Sequence, residues 1–411
     1  MRYLYSFLIY LIAPFITIYL YKRAKKNPDY KLHWNERFGF NLKNNLNKPI
    51  IWLHAVSVGE TRAISKIVEL LTKNYPQYQI LITQMTPTGR ATARSLYPQA
   101  MLHYIPYDLP HAVINFYKTF KPQLGIIMET EIWPNLIYYA KQYNIPLFLA
   151  NARLSNKSFK SYTRIKCFIT PILNQLTAIL CQDTATADNF KNLGVGSKLQ
   201  VAGSTKFDIQ EDTKQQDIAL FFKQTMPDKK VVIFASTRND EEQQIIDNLN
   251  YSYLTIIVPR HPERFKLVEK MLISKKINYL KRSQNKAITN DVQVLLGDSM
   301  GEMSAYYDLS DLAVMGGSLN GLGGQNLIEP LFLNKPVIFG RSMFNFAAIA
   351  KNAIDDGCAI EVKDIQECYS QIDYLFNNKD KYMKLKDNCE LFVNRYKGAS
   401  QKIFDCVRVY L

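Results

Sequence analysis

The chain has 411 residues, enough for about two or three domains with sizeable cores. Hydrophobic residues make up 47% and charged residues 21%, which is typical of a globular protein and excludes a largely disordered one. Lys and Arg number 51 against 36 Asp and Glu, so the formal net charge of +15 predicts an anionic partner: a nucleic acid, a phospholipid surface or a phosphorylated substrate. The sequence carries no basic block with interleaved aromatics, so we expect no nucleic-acid partner.

Cysteine and histidine usage limits the chemistry. None of the six cysteines is in CxxC spacing, and the five histidines form no HExxH motif. This pattern is typical of a reduced cytosolic chain and argues against both a disulfide framework and a protein-built metal centre.

The N-terminal segment is long and apolar. Residues 3–21, YLYSFLIYLIAPFITIYLY, carry no charge, and at 19 residues they are long enough to cross a hydrocarbon core. Basic residues crowd positions 22–26, whereas Arg2 alone precedes the run. The positive-inside rule therefore predicts an uncleaved anchor at residues 1–22 with the rest of the chain in the cytoplasm. Pro14 and the many tyrosines leave open a helix that lies in the membrane interface or packs in protein.

Buried strands alternate with helical patterns along residues 23–208, which predicts parallel βαβ units. In such sheets ligands bind beyond the carboxyl ends of the strands. The predicted strands are residues 49–56, 79–83, 124–128, 146–150, 178–181 and 199–202.

Charged residues follow three of these strands. Glu60 lies in the SVGE turn, where it is either a general base or, more simply, an acid that offsets a helix dipole. Glu129 and Glu131 end a buried strand, where carboxylates are costly unless they belong to a site or pair with cations. Lys206 either meets an anion or is an ordinary surface lysine.

A polar stretch at residues 209–230 predicts a linker, and a second α/β series follows at residues 231–411. Residues 314–330, VMGGSLNGLGGQNLIEP, indicate a strand, a glycine-rich turn and a helix start. Glycines let the backbone approach a ligand, and free N–H groups at a helix N-terminus suit a phosphate. Glu329 in the first turn can accept hydrogen bonds from sugar hydroxyls. The other interpretation is a tight βα turn without a ligand. The predicted strands of this half are residues 231–235, 254–258, 292–296, 312–315 and 336–339, and residues 379–411 are predicted to be helical.

Two Rossmann-like domains that face a cleft, with a nucleotide loop in the second, are typical of the GT-B architecture of glycosyltransferases. That chemistry needs a base for the acceptor hydroxyl, groups that hold the leaving nucleotide phosphate, and support for charge in the transition state.

Long motifs in one order give the chain a specific resemblance to the Kdo transferases, which transfer 3-deoxy-D-manno-octulosonic acid (Kdo) in lipopolysaccharide assembly. The resemblance covers nearly the whole chain. Its motifs are NERFGF, WLHAVSVGE, TQMTPTG, IPYDLP, METEIWPNL, ANARLS, GSTKFD, VPRHPERF, GDSMGE and GGSLNGLGGQNLIEP, together with Phe344-Asn345-Phe346.

The resemblance implies an inverting, metal-independent transfer of Kdo from CMP-Kdo to a 6'-hydroxyl of a lipid A precursor, at the inner membrane. It assigns the catalytic base to Glu60, which reverses the capping interpretation, and transition-state support to Glu129 and Lys206. It implies CMP contacts at Pro259 and Arg260, at Met300, Gly301 and Glu302, and at Asn326, Leu327, Ile328 and Glu329.

The chain departs from the family pattern at Gln325 and Arg238, where the family usually has His. Gln can still donate a hydrogen bond but cannot titrate near neutrality, so any imidazole role there is in doubt, although neither position is among the residues assigned above. The lipid A precursor and its membrane are anionic, and we expect Lys22 to Lys26, with Lys31 and Arg37, to hold the chain at the headgroups.

Two alternatives remain open. One keeps the fold with another nucleotide sugar, as in a UDP-sugar transferase or a sugar epimerase; CMP and UDP competition separates these. The other is a membrane-attached assembly protein with an inactive site, which the presence of Glu60, Arg260, Asn326 and Glu329 disfavours.

Overall fold

The computed structural model describes residues 1–44, 46–196, 198–209 and 213–411. These residues form two compact units. The first comprises Met1–Asp208 and Lys397–Leu411, and the second comprises Ile209–Tyr396.

The first unit is built on a sheet of seven parallel strands in the order β3-β2-β1-β4-β5-β6-β7. This order places β1 and β4 side by side at the centre, so the loops after them lie at one edge of the sheet. The strands are β1 (Ile50–His54), β2 (Gln79–Gln84), β3 (Met101–Tyr104), β4 (Leu124–Met128), β5 (Leu147–Ala152), β6 (Ala178–Cys181) and β7 (Leu199–Val201).

Helices cover both faces of this sheet. On one face Phe116, Leu136 and Ile169 pack over Trp52, and on the other Ile67 and Phe404 pack over Leu53, because successive residues of β1 point to opposite faces. The helices are α1 (Arg2–Lys26), α2 (Trp34–Arg37), α3 (Val58–Ala63), α4 (Ser65–Asn74), α5 (Pro87–Leu96), α6 (Pro110–Phe120), α7 (Pro134–Gln142), α8 (Asn156–Arg164), α9 (Lys166–Leu173) and α10 (Thr184–Asn192), with 3-10 turns at Pro28–Lys31 and Thr205–Phe207.

The second unit repeats the plan with seven parallel strands in the order β10-β11-β9-β8-β12-β13-β14. Its strands are β8 (Val231–Thr237), β9 (Leu254–Pro259), β10 (Tyr279–Lys281), β11 (Val294–Leu296), β12 (Leu312–Met315), β13 (Val337–Gly340) and β14 (Ala359–Val362). Its helices are α11 (Thr213–Thr225), α12 (Glu241–Asp247), α13 (Phe265–Ser274), α14 (Met303–Leu309), α15 (Ile328–Phe332), α16 (Ala347–Asp355), α17 (Ile365–Asn377) and α18 (Lys379–Tyr396), with 3-10 turns at Pro262–Arg264 and Arg282–Gln284.

The chain ends in the first unit. The sequence predicted one helix over residues 379–411 within the second domain, but α18 stops at Tyr396 and Gly398 takes a left-handed φ of 91°. Helix α19 (Ala399–Val407) then buries Ile403 and Phe404 in the first unit, and a 3-10 turn, Arg408–Tyr410, follows. The prediction placed this segment wrongly because an amphipathic helix does not show in its sequence which core it covers.

The predicted linker is also more ordered than expected. Residues 210–212 lie outside the described residues, but α11 occupies much of the rest and belongs to the second unit, where it contacts α14. Ala219 and Phe222 of α11 are buried, so this helix contributes to the fold rather than only connecting the units.

Helix α1 is long and apolar enough to cross a membrane, by length and composition alone. It also docks on the first unit through polar groups. Tyr5 donates a hydrogen bond to Asp108 Oδ2 at 2.9 Å, and Ser6 Oγ donates to Asn135 Oδ1 at 3.0 Å. Near its other end, Leu20 and Ala24 are buried against the segment that follows.

Candidate active site

Glu60 lies in the first turn of α3, directly after β1. Its carboxylate accepts hydrogen bonds from the Val56 amide at 2.9 Å and from the Ser57 hydroxyl at 2.9 Å, which hold it over the SVGE turn. Burial raises the pKa of Glu60 to about 7 although these hydrogen bonds oppose the rise, and the charges of Glu129 and Glu131 add to it. A carboxylate with a pKa near neutrality suits a general base better than a helix cap.

Glu129 and Lys206 form an ion pair, with Lys206 Nζ 3.1 Å from Glu129 Oε1. Glu129 follows β4 in a left-handed conformation, φ 59°, and its amide donates to Ala150 O at 2.9 Å. A non-glycine residue rarely adopts this conformation, which turns the side chain out of the sheet direction. The sequence predicted that a carboxylate at this strand end belongs to a site or pairs with a cation, and Lys206 is that cation.

The turn that carries Lys206 is fixed from both sides. Asn151, fully buried at the end of β5, accepts a hydrogen bond from the Thr205 amide at 3.1 Å. Asp208 accepts from the Gly398 amide at 2.6 Å and the Ser400 amide at 2.5 Å, so it caps α19. Lys206 therefore owes its position to residues distant in sequence.

His54 is a site neighbour that the sequence analysis did not single out. It ends β1 and is fully buried, and its Nδ1 lies 2.9 Å from Thr83 Oγ1. Burial lowers the pKa of His54 to about 4, so the imidazole is neutral at physiological pH. It contributes a buried polar group at the end of β1, three residues before the SVGE turn, without adding charge.

The second unit holds the glycine-rich turn, residues 316–318, after β12 as predicted. A Cβ on Gly316 would lie 2.4 Å from the Ser236 carbonyl oxygen, so only glycine allows this close approach. Gly317 takes a left-handed φ of 72°. Ser318 Oγ donates to Met315 O at 2.6 Å and accepts from the Gly340 amide at 2.8 Å, which ties the turn to β13.

Glu241 supports this turn from below. It is 3% exposed, and both carboxylate oxygens lie 2.8 Å from the Gly317 amide nitrogen. The Arg238 amide also donates to Oε2 at 2.8 Å. Burial raises the pKa of Glu241, although these backbone hydrogen bonds oppose the rise. The sequence showed acids here but no partners for them.

The next acid, Glu242, holds the loop after β9. It is fully buried, and its carboxylate receives a two-pronged contact from Arg264, at 2.9 Å from Nε and 2.8 Å from Nη2. Thr237 Oγ1 donates to the same carboxylate at 3.0 Å. Such fork-shaped pairs fix geometry as well as charge, so the VPRHPER loop has a defined position.

The residues predicted to contact CMP differ in whether their side chains or only their backbone atoms are accessible to a ligand. Leu327 and Ile328 are buried at 0% and 1%, so only their backbone can meet a ligand. Asn326 Nδ2 donates to Glu329 Oε1 at 3.0 Å, and Asn326 Oδ1 accepts from the Ile328 amide at 3.2 Å. The start of α15 is thus organised by its own side chains.

Arg260 and the GDSMGE loop also belong to the second unit. Pro259 is the buried last residue of β9, and Arg260 is exposed after it with its amide bonded to Thr237 O at 3.0 Å. Met300 is 57% exposed. Gly301 is left-handed at φ 80°. Arg282 Nε lies 3.0 Å from the Glu302 carboxylate. An exposed guanidinium after a strand is suited to a phosphate.

Two further expectations from the sequence concern Arg238 and the absence of a metal centre. Arg238, where the family usually has His, places Nη1 2.9 Å from His261 Nε2 and so links the loops after β8 and β9. In the described parts of the chain, no group of three or more His, Cys, Asp or Glu side chains is placed to hold a metal ion. Metal independence stays a prediction.

One expectation about the membrane surface is wrong. Arg37 is 1% exposed, so it does not reach lipid headgroups. Its Nη2 donates to Met85 O at 3.0 Å and its guanidinium lies 3.8 Å from the centre of the Tyr104 ring. Arg37 therefore ties α2 to β3 and to the segment after β2, inside the first unit.

Comparison with known proteins gives matches over the whole chain. A family model described as 3-deoxy-D-manno-octulosonic-acid transferase (kdotransferase) matches residues 32–209, and one described as glycosyl transferases group 1 matches residues 274–391. The 3-deoxy-D-manno-octulosonic acid transferase of Haemophilus influenzae is 34% identical across 100% of this chain and 99% of its own length. This chain belongs to the 3-deoxy-D-manno-octulosonic acid transferase family.

Other similarities agree with this membership. The Kdo transferase of Bordetella pertussis is 30% identical across 100% of this chain and 99% of its own. The crystal structure of UDP-GlcNAc 2-epimerase from Neisseria meningitidis has a TM-score of 0.60 at 15% identity, and covers 87% of this chain and 98% of that one. The similarity to the epimerase, at 15% identity, shows only that this chain has a GT-B-like fold. The Kdo transferase relatives identify an enzyme, a Kdo glycosyltransferase of lipopolysaccharide synthesis.

Proposed function

We propose that this Kdo transferase moves Kdo from CMP-Kdo to a hydroxyl of a lipid A precursor, with inversion and without a metal ion. The observation that carries the proposal is Glu60. It is a largely buried carboxylate with a pKa of about 7, at the same sheet edge as the Glu129–Lys206 ion pair.

The proposed step uses Glu60 as the base. Its carboxylate takes the proton of the acceptor hydroxyl as that oxygen bonds to the anomeric carbon of Kdo. The bond from this carbon to the phosphate oxygen breaks, and CMP leaves with the electron pair. Lys206, held by Glu129, offers positive charge to the developing negative charge, and the ionised pair is ready before the reaction begins.

The donor side of the proposal rests on the second unit. Arg260 is assigned to the phosphate of CMP because its guanidinium is exposed at a strand end and, within the described residues, forms no ion pair. The amides at the start of α15 and the carboxylate of Glu329 are assigned to the nucleotide, together with the backbone around Met300 and Gly301.

A transfer assay tests the proposal. The full chain is given CMP-Kdo, made in place, and a tetra-acylated lipid A precursor, with EDTA present, and the product is measured by mass. Addition of Kdo by the wild type and none by Glu60→Gln supports donor, acceptor and base together. The same assay counts the sugars added. A UDP-sugar transferase would instead be inhibited by UDP and not by CMP, which would overturn the donor assignment.

We also propose that α1 attaches the enzyme to the cytoplasmic face of the inner membrane by lying in the interface. Tyr5 and Ser6 point to buried polar groups of the first unit, whereas Phe7 and Leu11 are 60% and 54% exposed. A helix docked along a domain exposes one face to lipid. Replacing the four basic residues at positions 22–26 with Gln should weaken membrane association, and unchanged partitioning at moderate salt would contradict this.

A further inference from the structure

The surface near the catalytic edge of the first unit is unusually basic. Residues 132–182 contain six Lys or Arg and no Asp or Glu. Three of these cations lie in α8, which begins after the carboxyl end of β5, on the edge that carries Glu129. Ser155 caps this helix by accepting a hydrogen bond from the Ser158 amide at 3.2 Å.

The cations of α8 share one side of the helix. Lys157, Lys160 and Arg164 follow the i, i+3, i+7 spacing of a single helical face, and all three are exposed. Across the parts of the chain that the structure describes, none of the three forms an ion pair. Three cations without ion-pair partners lie next to one another on this face and repel one another. The face therefore favours an anionic partner.

The opposite side of α8 fixes its orientation. Phe159 and Tyr162 are half-buried against the core of the first unit. Burial raises the pKa of Tyr162, and the negative charge of Glu131 raises it further. Helix α8 therefore lies close to the METE loop, which carries Glu131. The cationic face therefore points to solvent beside the proposed site.

The helix that follows α8 contacts α1. Phe168 of α9, the helix after α8, lies 5.7 Å from Tyr5 of α1 between ring centres. Beyond Tyr5, the outer face of α1 is a stripe of exposed apolar residues: Leu4 at 61%, Leu8 at 47% and Phe15 at 68%. An exposed apolar stripe on α1 and an exposed cationic row on α8, linked through α9, match the acyl and headgroup layers of an anionic bilayer.

We propose that α8 is a second membrane-contacting element, whose three cations bind the phosphate groups of anionic phospholipids while α1 inserts its apolar face. The proposal rests on the membrane attachment proposed above. Lys157 and Arg164 are seven residues apart, about 10 Å along the helix axis, so the row spans more than one phosphate group. A row of this length suits a charged surface better than a single phosphorylated ligand.

Vesicle partitioning of the full chain tests this. Binding is measured on phosphatidylcholine vesicles and on phosphatidylcholine–phosphatidylglycerol vesicles, for the wild type and for Lys157→Gln/Lys160→Gln/Arg164→Gln. The variant should bind the anionic vesicles more weakly, on the order of 100-fold for three cations, and the neutral vesicles equally well. Added salt should weaken wild-type binding to the anionic vesicles more steeply than binding of the variant, which keeps the basic residues at positions 22–26.

A matched control carries the same charge change on the other face of the sheet. Lys73→Gln/Arg94→Gln/Lys402→Gln also removes two Lys and one Arg, all exposed. The control should keep the wild-type preference for anionic vesicles. An equal loss in both triple variants would mean a net-charge effect and would overturn the proposal, as would no loss in the α8 variant.

Transfer to a detergent-dispersed acceptor separates the remaining outcomes. The α8 variant should keep wild-type activity there, since no bilayer is involved. Lost activity with unchanged vesicle binding would assign the cations to the acceptor's phosphates and overturn the bilayer proposal. A wild type that binds anionic vesicles through α8 but transfers no Kdo would overturn the proposed function alone.

Discussion

Lys206 Nζ and Glu129 Oε1 lie 3.1 Å apart, and the two residues come from strand ends 77 positions apart in the chain by subtraction of their numbers. Each depends on the other, because a half-buried Glu129 needs a cation and Lys206 needs a fixed position. The pair should therefore behave as one unit in the reaction.

We expect Glu129→Gln and Lys206→Gln each to lower kcat by about 10²–10³, the loss typical of one preorganised transition-state group. The double variant should lose little more than either single one, since the second substitution removes a contact already broken. The exposed pair Lys66–Glu69, at 2.8 Å, is the control: the same substitutions there should leave kcat unchanged. Multiplicative losses in the double variant would show that the two residues act separately.

The pKa of Glu60 predicts the pH profile of transfer. Because burial raises this pKa to about 7, the base is protonated below that pH, and kcat/KM should fall about ten-fold per pH unit on the acid side. Ser57→Ala removes a hydrogen bond that favours the ionised carboxylate, so the acid limb should move to higher pH. Glu60→Gln should lower kcat by about 10²–10⁴. A profile flat through neutrality would contradict the assignment of Glu60 as base.

Stability gives an independent check on Glu60. A carboxyl whose pKa is higher in the folded state than its ordinary 4.5 makes folding less favourable as pH rises from about 4.5 to about 7. Relative to wild type, Glu60→Gln should therefore gain thermal stability between pH 5 and 8, judged by the change in Tm. A Tm difference that is independent of pH would indicate that Glu60 is not perturbed by burial.

Glu241 is predicted to act on donor binding and not on chemistry. Glu241→Gln replaces one acceptor oxygen under the Gly317 amide with an NH₂ group, and two facing donors repel. We expect the KM for the nucleotide sugar to rise about ten-fold or more, as for a lost hydrogen bond to a charged group, with kcat at saturating donor nearly unchanged. The neighbouring exposed acid is the control, and Asp240→Asn should leave both constants as in wild type. A fall in kcat alone would contradict this role.

Glu36 and Arg90 form a buried ion pair at 2.6 Å, with side chains 11% and 12% exposed. Although burial opposes it, the hydrogen bond from Arg90 helps to lower the pKa of Glu36, so the stabilisation is present above about pH 4.5 and is lost as pH falls further. Arg90→Gln should destabilise the fold by about 3–5 kcal/mol at pH 7, because it removes the arginine partner of a buried carboxylate and leaves it only His33, His103 and the Tyr104 amide. Urea titration at pH 7 and pH 4 measures this, and an equal loss at both values would contradict it.

The sequence predicted the central strands and the edge strand β7 well, but it missed the other three edge strands. Residues 124–128, 178–181 and 312–315 were placed exactly as observed, because strands with neighbours on both sides and helices on both faces are continuous apolar runs. The strands β3, β10 and β14 were missed. They are short, and each carries half-exposed residues that weaken the apolar pattern.

In the proposed site, too, the sequence predicted some features and missed others. The turns after β1, β4 and β12 were predicted because local glycines and acids mark them. The partners of those residues were not, since contacts such as Asn151 with Thr205 and Glu241 with Gly317 join segments distant in sequence. For the same reason Arg37 was assigned to the membrane surface: no nearby residue shows that Met85 and Tyr104 bury it.

The return of the C-terminal segment to the first unit has a consequence for biosynthesis. Residues 1–208 leave the ribosome long before residues 397–411, yet α19 supplies Ile403 and Phe404 to their core, and Asp208 caps its first turn. The first unit therefore begins to be translated first, but it can finish folding only after the last residues of the chain have been made. A fragment ending at residue 208 should expose an apolar groove and aggregate, whereas adding residues 397–411 as a separate peptide should restore its solubility.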